Sequence, residues 1–156
     1  MRIALLDTLA PRLPGTRLLD LFAGAGGVGL EALSRGAAHA TFVERDPRAV
    51  AALRENIAAL GLAAVTRVRR AEVLRELTTL YHHGERFDVV FLDPPYDAGL
   101  VETTLEALGG GGLLLPAAWV IAQHFTKRPP APTIGALGAF RTRRFGETTL
   151  TFYRAG

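Results

Sequence analysis

The segment Leu19–Glu31, LDLFAGAGGVGLE, changes character twice along its length. It begins inside an apolar run, Thr16 to Phe22, that reads as a strand. Gly24, Gly26 and Gly29 then form a G-x-G-x-x-G spacing, and GVGLEALSRGA reads as a helix that ends near Gly36. Strand, glycine turn and helix in that order open a β-α-β unit. The rest of the chain continues the alternation. ATFVE (Ala40–Glu44) reads as a second strand. Asp46 then caps a helix whose first residue is Pro47, the favoured arrangement. Val50, Leu53, Ile57 and Leu60 fall on one face of that helix, and Gly61 stops it.

A weaker strand spans Val65 to Arg69, and a helix carrying Val73, Leu74, Leu77 and Leu80 follows. Phe87 to Leu92 hardly alternates, as expected of a strand buried on both faces. Gly99 to Leu108 reads as a helix and Trp119 to Phe125 as a fifth strand. KRPPAPTIGALG reads as a loop, and AFRTRRFGETTLTFYRAG as two strands turning at Gly146. Before the first strand, IALLDTLA reads as a short helix with Ile3, Leu6 and Ala10 on one side and Pro11 beyond it. The expectation is one α/β domain over residues 1–156. Its core is a mostly parallel, seven-stranded, doubly wound sheet with a C-terminal antiparallel hairpin.

Composition removes several classes of function. The 156 residues include no cysteine, so there is no disulfide frame, thiolate metal site or cysteine nucleophile. No apolar run approaches the ~18 residues of a membrane span. The N-terminus is too short and too acidic for a signal peptide, so a cytoplasmic location is expected. His39 and His124 lack metal-ligand spacing with any partner, and His82 and His83 read as a polar loop, so no metal is expected. The formal charge is +3, and Lys127 is the only lysine. Arginine's planar fork suits phosphates and stacks on bases. The clusters Arg67, Arg69, Arg70 and Arg141, Arg143, Arg144 therefore suggest a polyanionic partner.

In doubly wound sheets, ligands bind at the carboxyl ends of the strands near the reversal of strand order. Three features fall there: the glycine turn, Glu44, and the end of FDVVFLDPPYDAG (Phe87–Gly99). The glycine turn and an acid twenty residues past Gly24 fit a nicotinamide cofactor or S-adenosylmethionine equally, because either ribose offers hydroxyls to Glu44. Asp20 tilts the choice. A negative charge before the turn is a poor neighbour for a pyrophosphate and suits a cationic amino group and a sulfonium. At the other feature, Pro94 and Pro95 forbid further ladder bonds and leave acceptors at the strand tip: the Asp93 carboxylate and main-chain carbonyls. Tyr96 adds a flat ring. A ligand with N–H groups and a flat face would fit.

Asp20-Leu21-Phe22-Ala23-Gly24-Ala25-Gly26, Glu44 and Asp93-Pro94-Pro95-Tyr96 resemble the motifs of class I S-adenosylmethionine-dependent methyltransferases. More narrowly, LLDLFAGAGGVGLEALSRGA, FVERD, FLDPPY and RRFGETTLTFY resemble the RsmD family, whose members methylate the exocyclic N2 of one guanine in bacterial 16S rRNA. The resemblance runs from Arg2 over nearly the whole chain. It implies a Rossmann-like fold and S-adenosylmethionine as cofactor, bound by Asp20, Phe22, Ala23, Gly24, Gly26, Glu44, Arg45, Ala71 and Glu72. It places catalysis at Asp93, Pro94, Pro95 and Tyr96. Asp93 and the Pro94 carbonyl would accept the two amine hydrogens, and Tyr96 would stack on a base drawn out of its helix or loop. The implied partner is 16S rRNA or the assembling small ribosomal subunit, met by a monomer.

Two departures from the family pattern stand out. The basic N-terminal extension usual in the family is expected to be largely absent, since the chain starts inside the helix that follows it. Where an Asp often reads the cofactor's adenine amine, this chain has Arg70; Glu72 or the main chain around Ala71 takes that place. Lack of cysteine excludes methylation of pyrimidine C5 through a cysteine adduct. Two other readings stay open: another conjugated amine, adenine N6 or a protein glutamine amide, as acceptor, and an NAD-binding oxidoreductase.

Overall fold

A computed structural model of the chain describes residues 1–95 and 99–156. The elements are α1 (Arg2–Leu9), β1 (Arg17–Leu21), α2 (Gly27–Ser34), β2 (His39–Glu44), α3 (Pro47–Leu60), β3 (Thr66–Arg70) and α4 (Val73–His82). There follow β4 (Phe87–Leu92), α5 (Leu100–Gly109), β5 (Leu114–Phe125), β6 (Thr133–Ile134), β7 (Leu137–Phe145) and β8 (Thr148–Ala155). One eight-stranded sheet runs in the order β3-β2-β1-β4-β5-β8-β7-β6. The pairs from β3 to β5 are parallel, while β8 enters antiparallel to β5 and β7 antiparallel to β8. Strand order reverses between β1 and β4, so the expected ligand crevice opens above those two strands.

Two apolar layers flank the sheet. On one face Leu5, Leu6 and Leu9 of α1, Leu30 of α2, and Leu53 and Ile57 of α3 pack against Phe42, Phe91, Ile121 and Phe152. On the other, Val73, Leu77 and Leu80 of α4 and Leu105 and Leu108 of α5 pack against Leu19, Val90, Val120 and Tyr153. A sheet covered on both sides explains why its central strands read as unbroken apolar runs. Helix α3 starts as its sequence dictates: Asp46 accepts the Arg48 N–H, Pro47 opens the helix, and Gly61 closes it with φ 69°.

The structure departs from the sequence reading in a few places. Thr133 and Ile134, within the stretch read as loop, pair with Gly138 and Leu137, which adds an eighth strand at the edge. Strand β5 begins at Leu114 rather than Trp119, and its register against β4 shifts between Phe87 and Val89. Pro116, which has no N–H to give, and Ala117, with φ 62°, sit in that shift. Ile3 and Leu60, both assigned to inward faces, are 69% and 61% exposed; Leu5 and Leu9 take the inward positions on α1. His82 belongs to the last turn of α4, its ring edge-on to Tyr81, rather than to a loop.

Candidate active site

The site is built on the tips of β1, β2 and β4. After Leu21 the chain turns upward through Phe22, which holds a left-handed φ of 59°. A bulky residue there is strained, and such strain collects where surrounding contacts fix an unusual backbone. The Ala23 N–H donates to the Val43 carbonyl and the Gly26 N–H to the Ala23 carbonyl, which closes the glycine turn. Helix α2 starts from Gly26, which has no side chain to cap it. The buried Asp20 carboxylate supplies the missing acceptor, taking the Gly29 N–H at 3.1 Å. A Cβ at Gly29 would collide with the Phe42 ring, so the last glycine of the motif serves close helix-to-sheet packing.

Glu44, at the tip of β2, faces the same turn. One of its oxygens accepts the Gly24 N–H at 2.8 Å, and the other accepts the N–H groups of Arg45 and Asp46, both at 2.9 Å. A carboxylate has about four lone-pair directions. Glu44 therefore braces the turn and keeps little free acceptor capacity for a ribose. Glu72 is likewise engaged: it caps α4 by accepting the N–H groups of Leu74 and Arg75. The Ala71 N–H donates to the Glu44 carbonyl. Phe22, Glu44, Arg45, Ala71, Glu72, Leu74, Asp93, Pro95 and Leu100 line one cleft of about 640 Å³. Most of the expected cofactor residues thus share one cleft, with Leu74 and Leu100 giving it apolar walls that the sequence reading did not assign to the site. Ala23, Gly24 and Gly26 of the turn do not line it, and Asp20 lies beneath the turn with its carboxylate buried.

Asp93 stands just past β4, and its N–H still reaches the Leu21 carbonyl. Among the described residues no donor reaches its carboxylate, and α5 is capped by Gly99 rather than by Asp93. Asp93 keeps contact with solvent, yet the protein around it withholds enough water to push its carboxyl up to about 6. Asp20 goes further: burial raises it to about 8, helped by the charges of Asp93 and Glu44 and opposed by the Gly29 hydrogen bond. Tyr96 lies outside the described residues.

Asp93, Pro94 and Pro95 also line a second cavity, on the side of β5 and β8, with Glu102, Gln123, His124, Arg128 and Thr148. Sequence reasoning missed this wall. His124, read there as unremarkable, is buried and joined to Thr151 at 2.6 Å and to the Phe125 carbonyl at 2.7 Å. The arginine clusters divide. Arg67 pairs with Glu85 and Arg69 with Glu76. Arg141 has no side-chain partner among the described residues, Arg143 reaches Thr8 at 3.1 Å and Arg144 the Gly146 carbonyl at 3.0 Å. No group of three or more metal-ligating side chains is gathered among the described residues. No helix among them is long and apolar enough to cross a membrane.

Strand order, glycine turn and acid-proline tip together define a Rossmann-like class I methyltransferase fold. The comparisons narrow the class. The family model described as "Conserved hypothetical protein 95" matches residues 1–154. YlbH of Bacillus subtilis, which its name places among the rRNA methyltransferases, is 32% identical over 151 residues, covering 97% of this chain and 82% of that protein. Ribosomal RNA small subunit methyltransferase D of Escherichia coli is 37% identical over 123 residues, 79% of this chain but 60% of that protein's length. A solved structure of a conserved hypothetical protein from Streptococcus pyogenes superposes with a TM-score of 0.91 at 33% identity, covering 100% of this chain and 96% of the other. The chain belongs to the Conserved hypothetical protein 95 family, that of the small subunit methyltransferase D proteins.

Proposed function

We propose that this chain transfers a methyl group from S-adenosylmethionine to the exocyclic N2 of a guanine in 16S rRNA. The observation that carries the reading is Asp93: a carboxylate with no donor among the described residues, on the wall shared by two cavities. One cavity takes the cofactor and the other the acceptor. The cofactor supplies an electrophilic methyl on a sulfonium. The names of the Bacillus and Escherichia relatives support rRNA as the acceptor. The Glu44 and Asp93 carboxylates beside the glycine turn oppose a pyrophosphate, and Asp20 beneath it can ionise against a cation, which counts against a nicotinamide cofactor.

The residues act by position and charge. The lone pair of an exocyclic amine is delocalised into its ring, so it attacks poorly. Asp93 and the Pro94 carbonyl accept its two hydrogens, draw the nitrogen toward a pyramid and aim the lone pair at the methyl. As the N–C bond forms and the C–S bond breaks, the nitrogen carries one proton too many. Asp93, poised near 6, is basic enough to hold it. Holding both partners in line supplies the rest, with effective molarities of ~10⁵ M or more available in principle. Ala71, Glu72 and Arg45 frame the adenosine end of the cleft, and Glu44 fixes the turn beside it.

The test has two parts. Calorimetry should show binding of S-adenosylhomocysteine and none of NADH. Mass-spectrometric mapping of rRNA should find one N2-methylguanosine missing from a strain that lacks the gene and restored by the purified protein. A restored methyl on adenine N6 or on a protein amide would overturn the acceptor assignment.

A further inference from the structure

The acceptor-side cavity contains a second carboxylate. Glu102 sits in the first turn of α5, half-buried, and lines the cavity with Asp93, Pro94 and Pro95. Among the described residues neither an ion pair nor a hydrogen bond engages it. Arg128, a cation on the same lining, forms no salt bridge with it among the described residues. Burial and, after it, the charge of Glu102 raise the Tyr153 hydroxyl, which donates to the Ala131 carbonyl. Two carboxylates without a partner among the described residues thus line one small cavity. The pair is stabilised when a ligand brings hydrogens to both.

We propose that Glu102 selects guanine as the acceptor by taking the N1–H that lies beside the reacting amine. The inference rests on the methyl-transfer reading above. Its chemistry lies in what flanks each amine. Guanine N2 has N1–H, a donor, on one side and N3 on the other. Adenine N6 stands between N1 and N7, both acceptors, and cytosine N4 stands beside N3, an acceptor. A carboxamide nitrogen is flanked by its own carbonyl. With Asp93 holding the amine, only guanine offers a hydrogen to a second carboxylate; the others set a lone pair against it. Sites built to pair with a donor reject analogues that lack it, because the acceptor is left desolvated and unpaired. Glu102 also suits the N-terminal end of α5 electrostatically, but that role is indifferent to which base is bound.

The experiment is single-turnover methyl transfer to 16S rRNA, naked or assembled, whichever the wild-type enzyme accepts. The rRNA is ligated so that the mapped position carries guanine or 2-aminopurine. The latter keeps the reacting amine but presents N1 as a bare acceptor. Wild type should favour guanine by about 10–150-fold, the range of a hydrogen bond to a charged group. Glu102→Gln should slow guanine and speed 2-aminopurine, since its amide can donate to the bare N1, lowering the ratio about tenfold or more. Melting temperature and S-adenosylhomocysteine affinity should stay unchanged. An unchanged ratio in folded Glu102→Gln overturns the inference. So do equal rates of wild type on the two bases, whatever the variant does. Failure of the underlying reading is distinct: wild type would then place no methyl on guanine N2 at all.

Discussion

Asp93 is the residue on which the chemistry turns, and its surroundings make its replacement informative. Asp93→Ala should leave fold and cofactor affinity nearly intact, because no donor depends on its side chain among the described residues, yet lower single-turnover methyl transfer by ~10²–10⁴. Asp93→Asn keeps one acceptor and loses the charge, so it should retain more activity than Ala. A loss smaller than about tenfold in Ala would leave the mechanism to the Pro94 carbonyl and to positioning. Burial raises the Asp93 carboxyl to about 6, so the wild-type rate should fall as pH drops through that value and the acceptor becomes protonated. The Asn variant should lack that limb. Glu44 makes a contrasting case. Glu44→Ala should weaken S-adenosylhomocysteine binding by loosening the turn it braces, by up to the ~1.5–3 kcal/mol of a hydrogen bond to a charged group. Because three backbone N–H groups lose their acceptor, it should also lower the melting temperature. Unchanged affinity by calorimetry would remove Glu44 from the site. Asp93 was legible in the sequence because two prolines mark the strand tip. The bonds that occupy Glu44 and Glu72 were not, since a carboxylate's partners are set by which amides the fold brings within reach. Glu102 and His124 carry no local pattern at all, and only the pairing of β4 with β5 and the placing of α5 bring them to Asp93.

The element that most needs a physical account is the hairpin of β7 and β8. Strand β8 is buried along most of its length, but β7 is mostly exposed, and β6 covers only its first residues. The remainder of β7 is an open edge, and Arg141, Arg143 and Arg144 lie along it. Charged side chains on an edge discourage pairing with another chain, which is sufficient reason for arginines there. Phosphates of an RNA partner would give a second one. The turn after β7 is fastened by Thr126, whose N–H donates to the Glu147 carbonyl and whose hydroxyl donates to that of Gly146. Replacing all three arginines with Gln should weaken RNA binding and flatten its dependence on salt by roughly 0.7–0.9 log units per lost phosphate contact, with cofactor binding unaffected. If the slope stays where it was, the arginines serve the edge alone. The companion cluster at β3 should behave differently, since Glu85 and Glu76 neutralise Arg67 and Arg69. Sequence patterning located the hairpin because Gly146 and the alternation of Leu150 and Phe152 mark it. It missed β6 because two residues carry no period, and it started β5 late because Pro116 looks like a strand terminator while acting as a bulge.

Across the whole molecule, net charge and local charge have opposite signs. The chain carries +3, yet Glu44 and Asp93 line one cleft at the strand tips and Asp20 lies buried beneath the glycine turn close enough to feel both charges. Burial of Asp20, with a smaller push from the charges of Asp93 and Glu44, holds its carboxyl near 8 rather than the ordinary 3.8. Between those values folded Asp20 binds a proton that the unfolded chain has lost. Its contribution to stability is therefore complete at low pH and lost as pH rises through about 8. Asp20→Asn keeps an acceptor for the Gly29 N–H and removes the titration. It should match wild type in urea titrations below about pH 4, where Asp20 is protonated folded and unfolded alike, and exceed it by a margin that grows up to about pH 8 and then levels off. A cationic cofactor reverses the balance. A sulfonium near the turn favours ionised Asp20, so S-adenosylmethionine binding at neutral pH should release a proton, and S-adenosylhomocysteine, which lacks the positive sulfur, should release less. Titration calorimetry in buffers of different ionisation enthalpy measures this directly. The apparent heat of S-adenosylmethionine binding should vary with the buffer in wild type and lose most of that variation in Asp20→Asn. A wild-type heat that does not depend on the buffer would mean that Asp20 keeps its charge state when the cofactor binds, and that its part is limited to capping α2 beneath the glycine turn.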